Sequence, residues 1–190
     1  SSADRKTRLD DLTVALVTDV QVQKDRDYRF ASNLRPGVRP YTDRNFRIEK
    51  VPDSLRGATF LQTQNCDDKV SGDDWLSFTA HRPVRVIMAL DRRLPGPPEW
   101  VRDHFAPMDE VIRADHWIFR LHSAEFPAGR ITRGGNTYDG RAGGKGMYIA
   151  VVQPLGIQPP SQPTSVEAVL KLGGSGNPDS GRWLFHAANG

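Results

Sequence analysis

The densest run of ionisable side chains is "NCDDKVSGDD", residues 65–74, which sets Asp67, Asp68, Asp73 and Asp74 around Lys69 and Cys66. Carboxylates at that density are the donor set that a hard cation such as Ca²⁺ needs, since it takes six to eight oxygen ligands. The spacing is not that of an EF-hand loop. The same aspartates also serve as turn-formers, because an Asp side chain hydrogen-bonds its own backbone two residues on. A Ca²⁺ site on Asp67, Asp68, Asp73 and Asp74 and a solvated turn therefore both fit the residues. Cys66 is the only cysteine, so it makes no disulfide within the chain, no Cys-based zinc site and no haem-attaching pair. It reads as a small, mostly buried apolar residue. A catalytic thiolate would need a base brought to it in space, for which His81 is the candidate.

Other catalytic patterns are missing from the sequence. There is no G-x-S-x-G elbow, no H-E-x-x-H helix and no phosphate-binding G-x-x-x-x-G-K-S/T loop. With 23 acidic residues, many carboxylate pairs exist and none is singled out for acid–base hydrolysis. The glycines of "RGGN" (133–136) and "AGGK" (142–145) lack a strand–loop–helix context and read as turns that want positive φ. His116 and His122, on one candidate strand, read as solvent-side residues. The tryptophans say more. An exposed indole stacks on a pyranose face while flanking polar groups bond the hydroxyls. Trp75, Trp100 and Trp117, with Lys69, Asp91, Arg92 and Arg93 nearby in sequence, supply that combination, and the same rings also suit a core. Trp100 is the first expected platform, with Arg92 and Arg93 meeting the carboxylate of an acidic polysaccharide. Lys69 and Trp75 complete the expected ligand site.

The elements that must position these residues are short strands. "LTVALVTDVQV" (12–22) alternates Val14, Leu16, Val20 and Val22, the period of a half-buried strand. "ATFLQTQ" (58–64), "WLSFTA" (75–80), "VRVIMAL" (84–90), "HWIFRL" (116–121) and "GMYIAVV" (146–152) are β-branched or aromatic runs between turn residues. "PPEWVRDHF" (97–105) predicts one short helix, with proline at its entrance. Together they predict an all-β fold, an antiparallel, jelly-roll-like β-sandwich. After Val152, "QPLGIQPPSQPTS" (153–165) reads as a stiff spacer. The expected division is a sandwich over 1–155 and a Pro/Gly-rich tail over 156–190.

A chain of 190 residues holds one domain of ordinary size plus linker. Its 26 basic and 23 acidic residues are interspersed, which argues against a nucleic-acid surface, where cations gather on one face. No apolar run approaches the roughly 18 residues of a membrane-crossing helix.

"YTDRNFRIEKVPDSLRGATFLQTQNCDDK" (41–69), "WLSF" (75–78), "VRVIMALDRRLPGPPEWVRDHF" (84–105) and "RGGN…GKGMYIAVV" (133–152) together resemble an ancillary module of secreted bacterial proteins. Members of that family accompany polysaccharide lyases and other carbohydrate-active enzymes, and look like carbohydrate-binding-type sandwiches. The shared order is Tyr-x-Asp-Arg-x-Tyr, Leu-x-Gly-Ala, Asp-Asp-Lys, Asp-x-Arg, Pro-x-Trp-Leu, Gly-Gly-Asn and Met-Tyr. This sequence departs at Phe46, Cys66 and Val101. The closing "NPDSGRWLFHAANG" (177–190) is similar to the opening of a class I cytochrome c domain, where Gly181, Trp183, Leu184 and Phe185 fit the start of the first helix. The resemblances imply a non-catalytic polysaccharide-binding module, secreted or periplasmic, joined to a haem c domain beyond Gly190. Two alternatives stand beside that: a protein-interaction sandwich that docks the haem domain to its redox partner, and a polysaccharide-acting enzyme with an unidentified acidic pair.

Overall fold

A strand that alternates apolar and polar residues is stable only when a second layer covers its apolar face. The computed structural model describes residues 15–137 and 146–156. The "AGGK" stretch, the proline-rich spacer from residue 157 on and the cytochrome-like ending lie outside the described residues, whereas Gln153 and Pro154, expected in the spacer, belong to the last strand. Within them, ten strands form two sheets in which every strand pair is antiparallel. The smaller sheet has the order β1 (Val17–Val22), β5 (Leu76–Ala80), β9 (Gly129–Arg133). The larger runs β2 (Arg29–Ala31), β4 (Thr59–Gln62), β10 (Ile149–Pro154), β6 (Val84–Asp91), β8 (Trp117–Phe126), β7 (Ala106–Ala114), β3 (Ile48–Lys50). This is the predicted sandwich, and its one described α-helix, α1 (Glu99–His104), falls inside the predicted 97–105.

β5 shows the simple pattern: Leu76, Phe78 and Ala80 are buried, with Ser77 and Thr79 half-buried between them. Phe30 of β2 meets Phe78 edge-on at 5.3 Å between centroids, joining the two sheets. β6 and β10 are different. Val86–Asp91 and Ile149–Val152 are continuously buried, because the larger sheet is covered on both faces. The second cover is the excursion between β2 and β4. Its Phe46 stands edge-on to Trp117 of β8 at 4.6 Å, and its Ser54 accepts from Gln153 of β10 through the backbone and donates to Glu110 of β7. β1 carries a correction to the simple alternation: its pairing shifts between Thr18 and Gln21, and Asp19 takes φ 55° there. Asp tolerates the left-handed region, and the bulge moves the inward side from Val17 to Val20 and Val22. The compact unit ends at Leu155.

Candidate functional site: a tryptophan cleft beside a closed acidic corner

The acidic stretch begins with a single 3₁₀ turn, Asn65–Asp67. Asp43 of the Tyr-x-Asp-Arg motif accepts from the backbone N–H groups of Asn65 (2.7 Å) and Cys66 (3.1 Å), fixing that turn. Asp67 is thereby driven inward, where it is only 2% exposed. Its carboxylate accepts from Arg26 Nε at 2.9 and 3.0 Å and from the Tyr28 hydroxyl at 2.9 Å. Tyr28 in turn accepts the Trp75 indole N–H at 3.2 Å. The hydrogen bond and the charge of Asp67 hold the Arg26 guanidinium above its usual range, and burial does the same for the Tyr28 phenol.

The four aspartates are not brought together. Asp74 accepts from Gln23, Asp73 lines another cleft, and among the described residues no three His, Cys, Asp or Glu side chains converge where a metal ion would fit. Trp75 is likewise corrected: at 3% exposure it is core and presents no stacking face. Cys66 departs from its expected burial and is exposed. Partial burial, Asp67 and Asp43 push its thiol up, away from a reactive thiolate. His81 instead sits 2.8 Å from the Thr18 hydroxyl.

Arg93 and Arg92 also leave the expected site. Arg93 places its backbone N–H and its guanidinium fork on Asp91, at 2.6–3.1 Å, and lies 5.2 Å over the Trp117 ring. Asp91 is fully buried, so this pair anchors the loop after β6 and leaves no fork for an outside carboxylate. Arg92 is exposed, and neither arginine lines the cleft beside Trp100.

Trp100 itself sits on α1, half-buried, in a cleft of about 400 Å³. Its N–H donates to Gly135 O at 2.9 Å, and Phe105 and Tyr148 meet it edge-on at 5.8 and 5.9 Å. "RGGN" supplies the floor, for a reason other than positive φ. A β-carbon on Gly134 would come within 2.5 Å of the indole, and one on Gly135 within 2.4 Å of Val70 O. Glycine is required there for close approach. Asn136 then ties the floor down, donating to Asp68 O and Gly146 O and accepting from Tyr148 N–H.

Asp73, Glu99, Asp103, His104 and Arg133 complete the cleft. None of these five was singled out as a ligand for Trp100 from sequence, apart from Asp73 as a metal ligand. Lys69 lies in a neighbouring cleft, also about 400 Å³, with Lys24, Arg26, Cys66 and Trp75, over whose ring the Lys24 ammonium sits at 5.9 Å. Val70 and Ser71 line that second cleft and Asp73 the first, so the strip between them, bonded to Gly135 and Asn136, separates the two. The Trp100 cleft presents carboxylate acceptors, one cationic donor and a held indole. That set matches a hydroxylated ring.

His122 is a further correction. It is half-buried on β8 rather than solvent-side, and burial followed by the charge of Arg120 pushes its imidazole below the usual range.

The chain matches no protein-family model and no curated protein sequence. Among solved structures it is similar to a β-glucuronidase from glycoside hydrolase family 2, at 21% identity and TM-score 0.67, over 72% of this chain and 14% of that one. It also matches a GH138 enzyme targeting pectin rhamnogalacturonan II, at 13% identity and TM-score 0.49, over 73% and 16%. The likeness is one of fold. The chain spans only a small part of either enzyme's length.

Proposed function

We propose that this chain is a non-catalytic, carbohydrate-binding-type module that holds a polysaccharide in the Trp100 cleft. The observation that carries the reading is the indole itself: half-exposed, locked by Gly135 O and two aromatic edges, and surrounded by groups that bond hydroxyls. A ring fixed in this way loses little freedom on binding, which favours affinity. The fold it shares with part of a β-glucuronidase supports a carbohydrate setting. The cytochrome-like ending supports a parent protein, secreted or periplasmic, that continues into a haem c domain. A glycan panel read by tryptophan fluorescence tests the module: specific binding weakened by Trp100→Phe is expected, and silence across the panel overturns the reading. A Cys-x-x-Cys-His motif in the gene just downstream tests the haem linkage.

One observation favours a second reading. The motif residues Tyr41, Asp43, Asp67, Asp91 and Asn136 are committed to internal hydrogen bonds. That suits a structural sandwich docking the haem domain to its redox partner, and such a protein would leave the glycan panel silent.

A further inference from the structure

Four buried side-chain polar atoms have no hydrogen-bond partner among the described residues: Asn65 Oδ1, Trp117 Nε1, His122 Nδ1 and Arg133 Nε. Of these groups Arg133 alone carries a fixed charge, and it lines the Trp100 cleft. Buried charges are ordinarily paired, yet no carboxylate among the described residues pairs with this one. Aromatic rings hold it instead. The guanidinium lies 4.4 Å from the Phe126 centroid, 5.5 Å from Phe105 and 5.9 Å from Trp100. The rings accept none of its N–H groups in the plane, and its terminal Nη atoms, unlike Nε, are not among the sealed atoms, so they can reach an acceptor in the cleft. Desolvation lowers its pKa to about 10, the mark of a cation held without a counter-charge.

The rim has the opposite need. Glu99 and Asp103 lean on Arg102 at 3.6 and 3.5 Å, and Asp73 is exposed. These carboxylates only accept hydrogen bonds, so a ligand must bring hydroxyl donors to them. The fork only donates, and its strongest partner is a carboxylate met with two parallel bonds. One sugar class brings both.

We propose that Arg133 is the anion anchor of this cleft and that the cleft takes a uronate residue, hydroxyls on the rim and carboxylate on the fork. The proposal rests on the carbohydrate-binding reading and narrows it. It also moves acid recognition from Arg92 and Arg93, where sequence placed it, to a residue on β9.

Calorimetric titration of the intact chain with galacturonate and glucuronate oligomers, and with their methyl esters, tests it. The esters keep the hydroxyls and remove the charge. The acid form should bind at least tenfold tighter than the ester. Arg133→Lys, which keeps the charge and loses the fork, should narrow that preference about tenfold, with its melting temperature recorded alongside. The ester comparison uses the unaltered chain, so it stands even where that variant fails to fold. A Lys24→Gln/Lys69→Gln variant, changed only at exposed side chains of the neighbouring cleft, should keep the preference. Equal binding of acid and ester overturns the proposal and leaves the carbohydrate reading standing. So does a neutral glycan bound while uronates are ignored. Preference unchanged in folded Arg133→Lys, or abolished in the lysine variant, overturns the assignment to Arg133. Silence from uronates and neutral glycans alike overturns both readings.

Discussion

Asp67 and Asp73 belong to one loop, and their surroundings are opposite. Asp67 is sealed under Arg26, Tyr28 and Trp75, its carboxylate fully engaged. Asp73 stands exposed on a cleft beside an indole and an unpaired guanidinium. A dense acidic run therefore does not by itself mark a site. The donors that reach each carboxylate decide its role, and those donors come from elsewhere in the chain. The closed corner is joinery, and the open cleft is where a ligand has room.

The contrast is tested most severely by its tryptophans. Trp75→Ala removes a core ring and orphans the Tyr28 network, so it should cost about 3–5 kcal/mol. Trp100→Ala also loses packing, but from a ring that already faces a cleft, and should cost less. Chemical denaturation of both variants measures the difference. If Trp100→Ala proves the more damaging, the cleft is core and the contrast collapses.

Alkaline pH tests whether both regions have closed floors. Tyr28 lies in the corner, Tyr148 under the cleft, and Tyr41 below Trp117; burial pushes all three phenols up. A folded-state pKa above the unfolded value of about 10 gives stability that is complete below pH 10 and lost above it. Each such tyrosine removes about 1.4 kcal/mol per pH unit beyond that point. Arg133, lowered to about 10, acts in the opposite sense between about pH 10 and 12.5. Three phenols outweigh one guanidinium, so stability should fall by about 2 kcal/mol between pH 10 and 11, where each group contributes about 1 kcal/mol. Phenolate absorbance should rise together with unfolding. Three tyrosines titrating near pH 10 in folded protein would show the floors to be open.

Asp67→Asn keeps the shape of the corner and removes its charge. Arg26 is 29% exposed and can turn to water, so a loss of about 2 kcal/mol is expected, short of the full cost of breaking a buried pair. For a domain of this size that is a fall of roughly 4–8 °C. The same melting experiment addresses calcium. With Asp67 engaged and the four aspartates apart, Ca²⁺ added to chelator-stripped protein should leave the melting temperature unchanged. A rise that Asp68→Ala abolishes would restore the cation reading.

The sheets were legible because β5, β6, β8 and β10 carry their own signal in period-2 or continuously apolar runs. β7 was not. Pro107, Asp109 and Glu110 give it the composition of a loop, and pairing with β8 on one side and β3 on the other makes it a strand. β2 and β3, three residues each, are too short to show a period. The site was half legible for a similar reason. Trp100 announces itself by type, whereas Arg133 gains its meaning from Phe105 and Phe126, which only folding brings to it. Asp67 is the converse case: Arg26 and Tyr28 lie 41 and 39 residues away, so nothing in "NCDDK" tells a buried carboxylate from an exposed one. The family-like motifs reported the fold faithfully because their residues build it.

The smallest expected change in stability is the sharpest test of function. Glu99 and Asp103 are exposed at 72% and 51%, and their contacts with Arg102, at 3.6 and 3.5 Å, are surface pairs of the kind that contribute little. Glu99→Gln and Asp103→Asn should each leave stability within about 0.5 kcal/mol. Their effect on binding has a different origin. A carboxylate accepting a sugar hydroxyl makes a charge-assisted bond, and the amide that replaces it keeps the shape with a weaker acceptor. Either substitution should therefore weaken glycan binding several-fold while the melting curve stays in place, and the double variant should weaken it further. Asp67→Asn should do the reverse, moving the melting curve while folded protein binds as before. If the rim variants bind glycan unchanged, the rim is solvated surface and the cleft loses its acceptors. If Asp67→Asn abolishes binding while the fold holds, the ligand sits over the corner and the roles of the two regions are exchanged.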